Sequence, residues 1–162
     1  MKNTFTLALV LAVSQLLCLS PALAQGKNEH QITQVMQQQF DKPEAPLTVT
    51  PITVEGDYAV AGWLQGGRGG RALLQKDKDR WSIALCGGAG LTQAGVLQST
   101  GMQPDAANKL ARAIQTAEAA LGTDQRTRFD SFEGMVKIDA AQSHGEHNPH
   151  DPHSGHAIPV QK

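Results

Sequence analysis

Five histidines, His144, His147, His150, His153 and His156, follow one another at intervals of three residues between Ser143 and His156. A neutral imidazole presents a nitrogen lone pair suited to copper, nickel and zinc. The chain holds 6 histidines in all, and the sixth, His30, lies far upstream. The residues between the five are glycine, proline, serine, asparagine and the acids Glu146 and Asp151. Such a composition builds no packed core, so the segment reads as a disordered, histidine-rich tail over 139–162.

A period of three has a geometric meaning. In a polyproline II helix the five rings would line one edge about 9 Å apart, too far for two of them to ligate one ion. Binding therefore requires the chain to fold back at Gly145, Pro149, Pro152 or Gly155, or one ion to bridge two molecules. Pro149 and Pro152 precede His150 and His153 and remove backbone N–H groups that copper(II) would otherwise deprotonate, which favours imidazole coordination. Asp151 and Glu146 supply oxygen ligands or orient a ring. The expected site is adaptable, with no rigid open coordination position and hence no catalytic metal. The spacing does not separate copper from zinc or nickel, and the bland alternative is a solvated tail that gains charge below about pH 6.5.

Other groups with chemical potential are weaker. Cys86 ends a strand-like run beside Gly87-Gly88 and reads as a small buried residue, with copper(I) ligation the alternative. Met36, Met102 and Met135 are scattered, and Met36 belongs to a core face. Gly66-Gly67-Arg68-Gly69-Gly70-Arg71 lacks the Lys-Ser/Thr that completes a phosphate loop, and reads as a hairpin with one or two exposed arginines. Asp41, Glu44, Asp57 and Glu133 show no spacing suited to paired acid–base work, and no triad can be assembled around His30. Nothing here marks an enzyme.

The compartment follows from the first residues. Lys2, the apolar run Phe5 to Leu19, and Ala22-Leu23-Ala24 after Pro21 form a secretory signal peptide over 1–24, with cleavage expected after Ala24. The run is too short for a membrane span, and Gln15-Leu16-Leu17 before Cys18 does not suit a lipid anchor. The expected location is the periplasm. From 162 residues, removal of 24 leaves 138, enough for one domain over 25–138 plus the tail. The net charge of −1 becomes −2 once Lys2 is lost, which argues against nucleic acid as a partner. Cys86 is then the sole cysteine, so the domain is held by apolar burial and no internal disulfide.

Ile32, Val35, Met36 and Phe40 recur at helical spacing, which predicts a helix from Asn28 to Phe40 that Pro43 stops. Leu47 to Val54 reads as an edge strand because of Pro51. Strands over Tyr58 to Gln65 and Arg71 to Lys76, then one from Trp81, complete a four-stranded antiparallel meander. In the last strand, strict alternation places Trp81, Ile83 and Leu85 on one face and Ser82, Ala84 and Cys86 on the other. Leu91 to Gln98 predicts a short helix. A longer one opens at Pro104-Asp105, carries the stripe Leu110, Ile114, Ala117 and Leu121, and stops at Gly122. Phe129, Phe132, Met135, Val136 and Ile138 predict one more segment, helix or strand. The expected fold is a two-layer α+β domain: an N-terminal helix, the four-stranded meander, and C-terminal helices packed on it.

Several blocks resemble the small bacterial periplasmic proteins called copper uptake system-associated proteins. These are Phe40 to Leu47, Ala61 to Gly66, Gly69 to Leu74, Trp81 to Gly87, and Phe129 to Gly134 with the tail. The resemblance implies a role beside copper import and favours copper over zinc, without naming a ligand. Together these readings lead to the expectation of a non-enzymatic accessory protein whose tail binds copper(II) and whose domain docks to a copper-transport membrane protein. The rivals are a structural or inhibitory protein-interaction module with an incidental tail, and an enzyme or small-ligand carrier with a pocket between sheet and helices.

Overall fold

The computed structural model describes residues 21–138, with side chains from Gln25 onward. The tail and the first 20 residues lie outside the described residues. An opening helix α1, Pro21–Phe40, precedes strands β1 (Leu47–Glu55), β2 (Tyr58–Gln65), β3 (Arg68–Asp77) and β4 (Arg80–Gly87). A 3-10 turn over Ala89–Thr92 leads to α2 (Ala94–Ser99), α3 (Pro104–Ala119), α4 (Thr123–Asp130) and β5 (Met135–Lys137). All five strands form one antiparallel sheet in chain order, β1-β2-β3-β4-β5. The α+β class holds, but the meander has five strands where four are predicted from sequence. The extra strand, β5, falls in the final segment left open as helix or strand; it is only three residues long and lacks the alternating run that would decide between them.

Helices cover both faces of the sheet, so the layers number three and not two. On one face Ile32 and Met36 of α1 pack with Ala59, Ala61, Ala72 and Leu74, with Val35 and Phe40 beside them. On the other, Leu97 of α2 and Leu110 and Ile114 of α3 pack with Val60, Leu73 and Leu85. Neighbouring strand residues alternate between the two clusters, as a pleated sheet buried on both sides requires. α1 starts seven residues before Asn28, which places the expected cleavage point after Ala24 inside the helix. Its amphipathic pattern begins only at Ile32, so periodicity cannot locate the earlier start. The turn out of α1 is held by side chains: Asp41 Oδ1 accepts from the Leu47 amide at 2.6 Å. Gln65 Nε2 donates to the carbonyls of Phe40 and Ala45 at 2.7 and 2.9 Å.

Two bulges shape the sheet. Between β1 and β2 the register passes from Val49↔Trp63 to Ile52↔Ala61, so Thr50 and Pro51 together face Gly62. Between β3 and β4 it passes from Leu73↔Leu85 to Leu74↔Ile83, which leaves Ala84 as the extra residue. That bulge breaks the expected alternation. Trp81, Ile83 and Cys86 share the α1 face, and Leu85 turns to the face of α2 and α3.

Gly62 lies under the Phe129 ring. A Cβ there would stand 2.7 Å from Phe129 Cζ and 2.9 Å from the Thr50 carbonyl oxygen. Gly62→Ala is expected to lower stability by about 1–3 kcal/mol through overpacking, seen as a lower urea midpoint at unchanged slope. Gly95→Ala in α2, where a Cβ meets nothing within 4 Å, serves as the control and leaves stability equal or slightly higher, by up to about 1 kcal/mol.

Candidate functional site

The five histidines of the tail, His144, His147, His150, His153 and His156, lie outside the described residues. What the structure places is their root. Lys137, Val136 and Met135 of β5 pair with Leu85, Cys86 and Gly87, and the Ile138 amide donates to the Ala84 carbonyl at 3.1 Å. The tail thus leaves from one edge of the sheet. Met135 and Val136 there are large apolar residues left 55% and 49% exposed. His30 is exposed on α1, beside a groove shared with Glu29, Thr33 and the β1 bulge. A second groove lies between α1 and α3 over Ile52 to Val54. Among the described residues, no group of three or more His, Cys, Asp or Glu side chains is placed to hold a metal ion.

Cys86 is buried among Ala72, Ile83 and their neighbours, as its small size predicts. Burial penalises the thiolate and pushes the thiol up to about 11. A metal would have to bind the thiolate, so this environment disfavours ligation in the folded chain. Met36 and Met102 are buried, and of the three methionines only Met135 reaches solvent.

The glycine-rich run is a hairpin, as expected, and exposes one of its two arginines. Its tip is Gly66-Gly67 alone, because β3 already begins at Arg68. Arg68 is exposed, but Arg71 is 2% exposed. The tip carbonyls face a cation: Arg128 Nη2 donates to the carbonyls of Gly66 and Arg68 at 2.5 and 3.2 Å. A loop that turns carbonyls toward a guanidinium does not cradle a phosphate, whose binding needs amide N–H groups.

Arg71 is the centre of the described polar network. Its Nε and Nη2 donate to the two carboxylate oxygens of Glu118 at 2.7 and 2.6 Å, a fork-on-fork pair. Its Nη1 donates to Asp130 Oδ1 at 2.9 Å, and the guanidinium lies 5.4 Å from the centroid of the Phe129 ring. Burial acts to lower the guanidinium pKa, but Glu118 and Asp130 outweigh it and the net shift is upward. The neighbours of Arg71 across the sheet are Gly62 on β2 and Gly87 on β4, and this side-chain-free row leaves space for the guanidinium and the Phe129 ring. Arg71 and Glu118 are sealed from solvent while Asp130 is half exposed, and the cluster fastens α3 and α4 to β3. The expected stripe of α3 holds at Leu110 and Ile114. Ala107, Ala111 and Glu118 complete it, while Ala117 and Leu121 are only half-buried. Glu118 lies four residues after Ile114, on the buried stripe, and that charge in an apolar row is the signal by which the pair could be found.

No family model, curated protein or solved structure matches this chain.

Removing one partner of the buried pair strands the other. Arg71→Met is expected to lose about 3–5 kcal/mol in chemical denaturation, and the double change Arg71→Met with Glu118→Leu to recover most of it. Asp130→Asn, on the half-exposed partner, changes stability by less than about 1 kcal/mol. If the double variant is as unstable as the single one, the pair is not the fastening. For Cys86, folding stability is level below the ordinary thiol pKa of 9.0 and declines as pH rises from 9.0 toward about 11, because only the unfolded thiol ionises freely there. The folded chain should accordingly react with thiol reagents at pH 8 far more slowly than the urea-unfolded chain. Equal rates would place the thiol in solvent.

Proposed function

We propose that this chain is a non-enzymatic accessory protein of copper uptake in the periplasm. In this reading the domain over 25–138 docks to a copper-transport membrane protein, and the tail collects copper(II) through His144, His147, His150, His153 and His156. The observation that carries it is the set of five imidazoles at period three, joined to the folded part through the edge strand β5. Nitrogen donors at that spacing suit a borderline cation, and the prolines before His150 and His153 direct coordination to the rings. The resemblance of the Phe40–Leu47, Ala61–Gly66 and Gly69–Leu74 blocks to copper uptake system-associated proteins favours copper over zinc and nickel. Loosely held neighbouring rings exchange an ion quickly, which suits delivery more than storage.

Titration of copper(II) into the chain from Gln25 and into a version ending at Ile138 tests this reading. The longer chain is expected to bind copper with an imidazole-nitrogen signature in electron paramagnetic resonance, and the shorter one to bind little. Protons compete for the same lone pairs, so binding weakens as pH falls through about 6.5. Equal stoichiometry and affinity in the two chains removes the tail from the mechanism. Parallel zinc and nickel titrations decide the metal.

A further inference from the structure

The outer edge of β5 is the unexplained surface beside the tail. Ile138 donates inward to Ala84, and in an antiparallel ladder successive residues alternate. The N–H and C=O groups of Met135 and Lys137 therefore point away from β4, and no described strand pairs with them. Met135 and Val136 are exposed on the same three residues. An apolar edge with open backbone groups is a template for strand addition.

We propose that Ile158-Pro159-Val160 of this same chain adds to that edge as a short antiparallel strand. The segment follows the last histidine closely and is the one cluster of large apolar residues after Ile138. The 20 residues from Ile138 to Ile158 reach up to about 65 Å when extended, ample for the chain to double back across a three-residue strand. The register explains the proline. With Val160 beside Met135 and Ile158 beside Lys137, those pairs carry the hydrogen bonds. Pro159 then falls beside Val136 at a position where its missing N–H is not needed, the place prolines occupy in edge strands. Val160 covers the Met135 side chain, and the Pro159 ring covers Val136. Held at both ends, the histidine segment becomes a closed loop, which raises the effective concentration of each imidazole near the others. This last step rests on the metal-binding reading, but the strand pairing does not.

The test is backbone amide exchange at Met135 and Lys137, followed by NMR without metal in three proteins. These are the chain from Gln25, a chain ending at His156, and the full-length tail carrying Ile158→Asp with Val160→Asp. All changes lie outside the described residues and touch none of the core side chains. Exchange at the two amides is expected to be at least tenfold slower in the unaltered chain than in the other two. Equal exchange in all three overturns the proposal. So does slow exchange that depends on protein concentration, which would mean that a second copy occupies the edge. Copper titration of the chain ending at His156, which keeps all five histidines, separates the two readings. Weaker binding than in the unaltered chain supports the closed loop. Absence of copper binding in both, with exchange still slowed in one, overturns the metal reading and leaves the strand pairing in place.

Discussion

A guanidinium buried in a sheet must find fixed negative charge or the fold fails, and the lower half of this structure is arranged around that requirement. Arg71 meets Glu118 from α3, Asp130 from the end of α4, and the Phe129 ring in between. Two helices are thereby brought to one strand, and Arg126 of α4 adds bonds to the carbonyls that end α3. The pair also explains the absence of side chains around it. Gly62 and Gly87 flank Arg71 in register, and Gly88 lies so close to the Phe132 carbonyl oxygen that no larger residue fits there.

The same arrangement delivers β5 to its place. Asp130 closes α4 on Arg71, and Phe132 then packs edge-on against Trp63 with centroids 5.9 Å apart, on the opposite face of the sheet. The chain crosses from one face to the other within a few residues and reaches the free side of β4. Arg128, in the same last turn of α4, is bonded to the hairpin carbonyls and adds a second tie to β3. The root of the histidine segment is thus set by contacts spread over β2, β3 and α4.

Much of this was legible in the residues. The amphipathic row of α1, the boundaries of β2, the edge position of β1 and the opening of α3 at Pro104 follow from periodicity, proline and turn chemistry. What escaped reading has physical reasons. A three-residue strand such as β5 has no period, because it is a strand only by virtue of pairing with β4. The bulge at Ala84 reverses the facing of Leu85, and no local rule announces it. Arg71 looks like a solvated hairpin charge until the partner 47 residues away is placed beside it. The histidine segment was the clearest signal in the sequence, and it lies outside the described residues.

The placement of Cys86 has a further chemical consequence. An accessible thiolate is open to oxidation and to cross-linking between molecules. This thiol belongs to the face of the sheet that α1 covers, beside its ladder partner Val136, and its apolar surroundings keep it protonated. The cover of α1 and the sheet itself therefore keep this sulfur from pairing with that of a second folded copy.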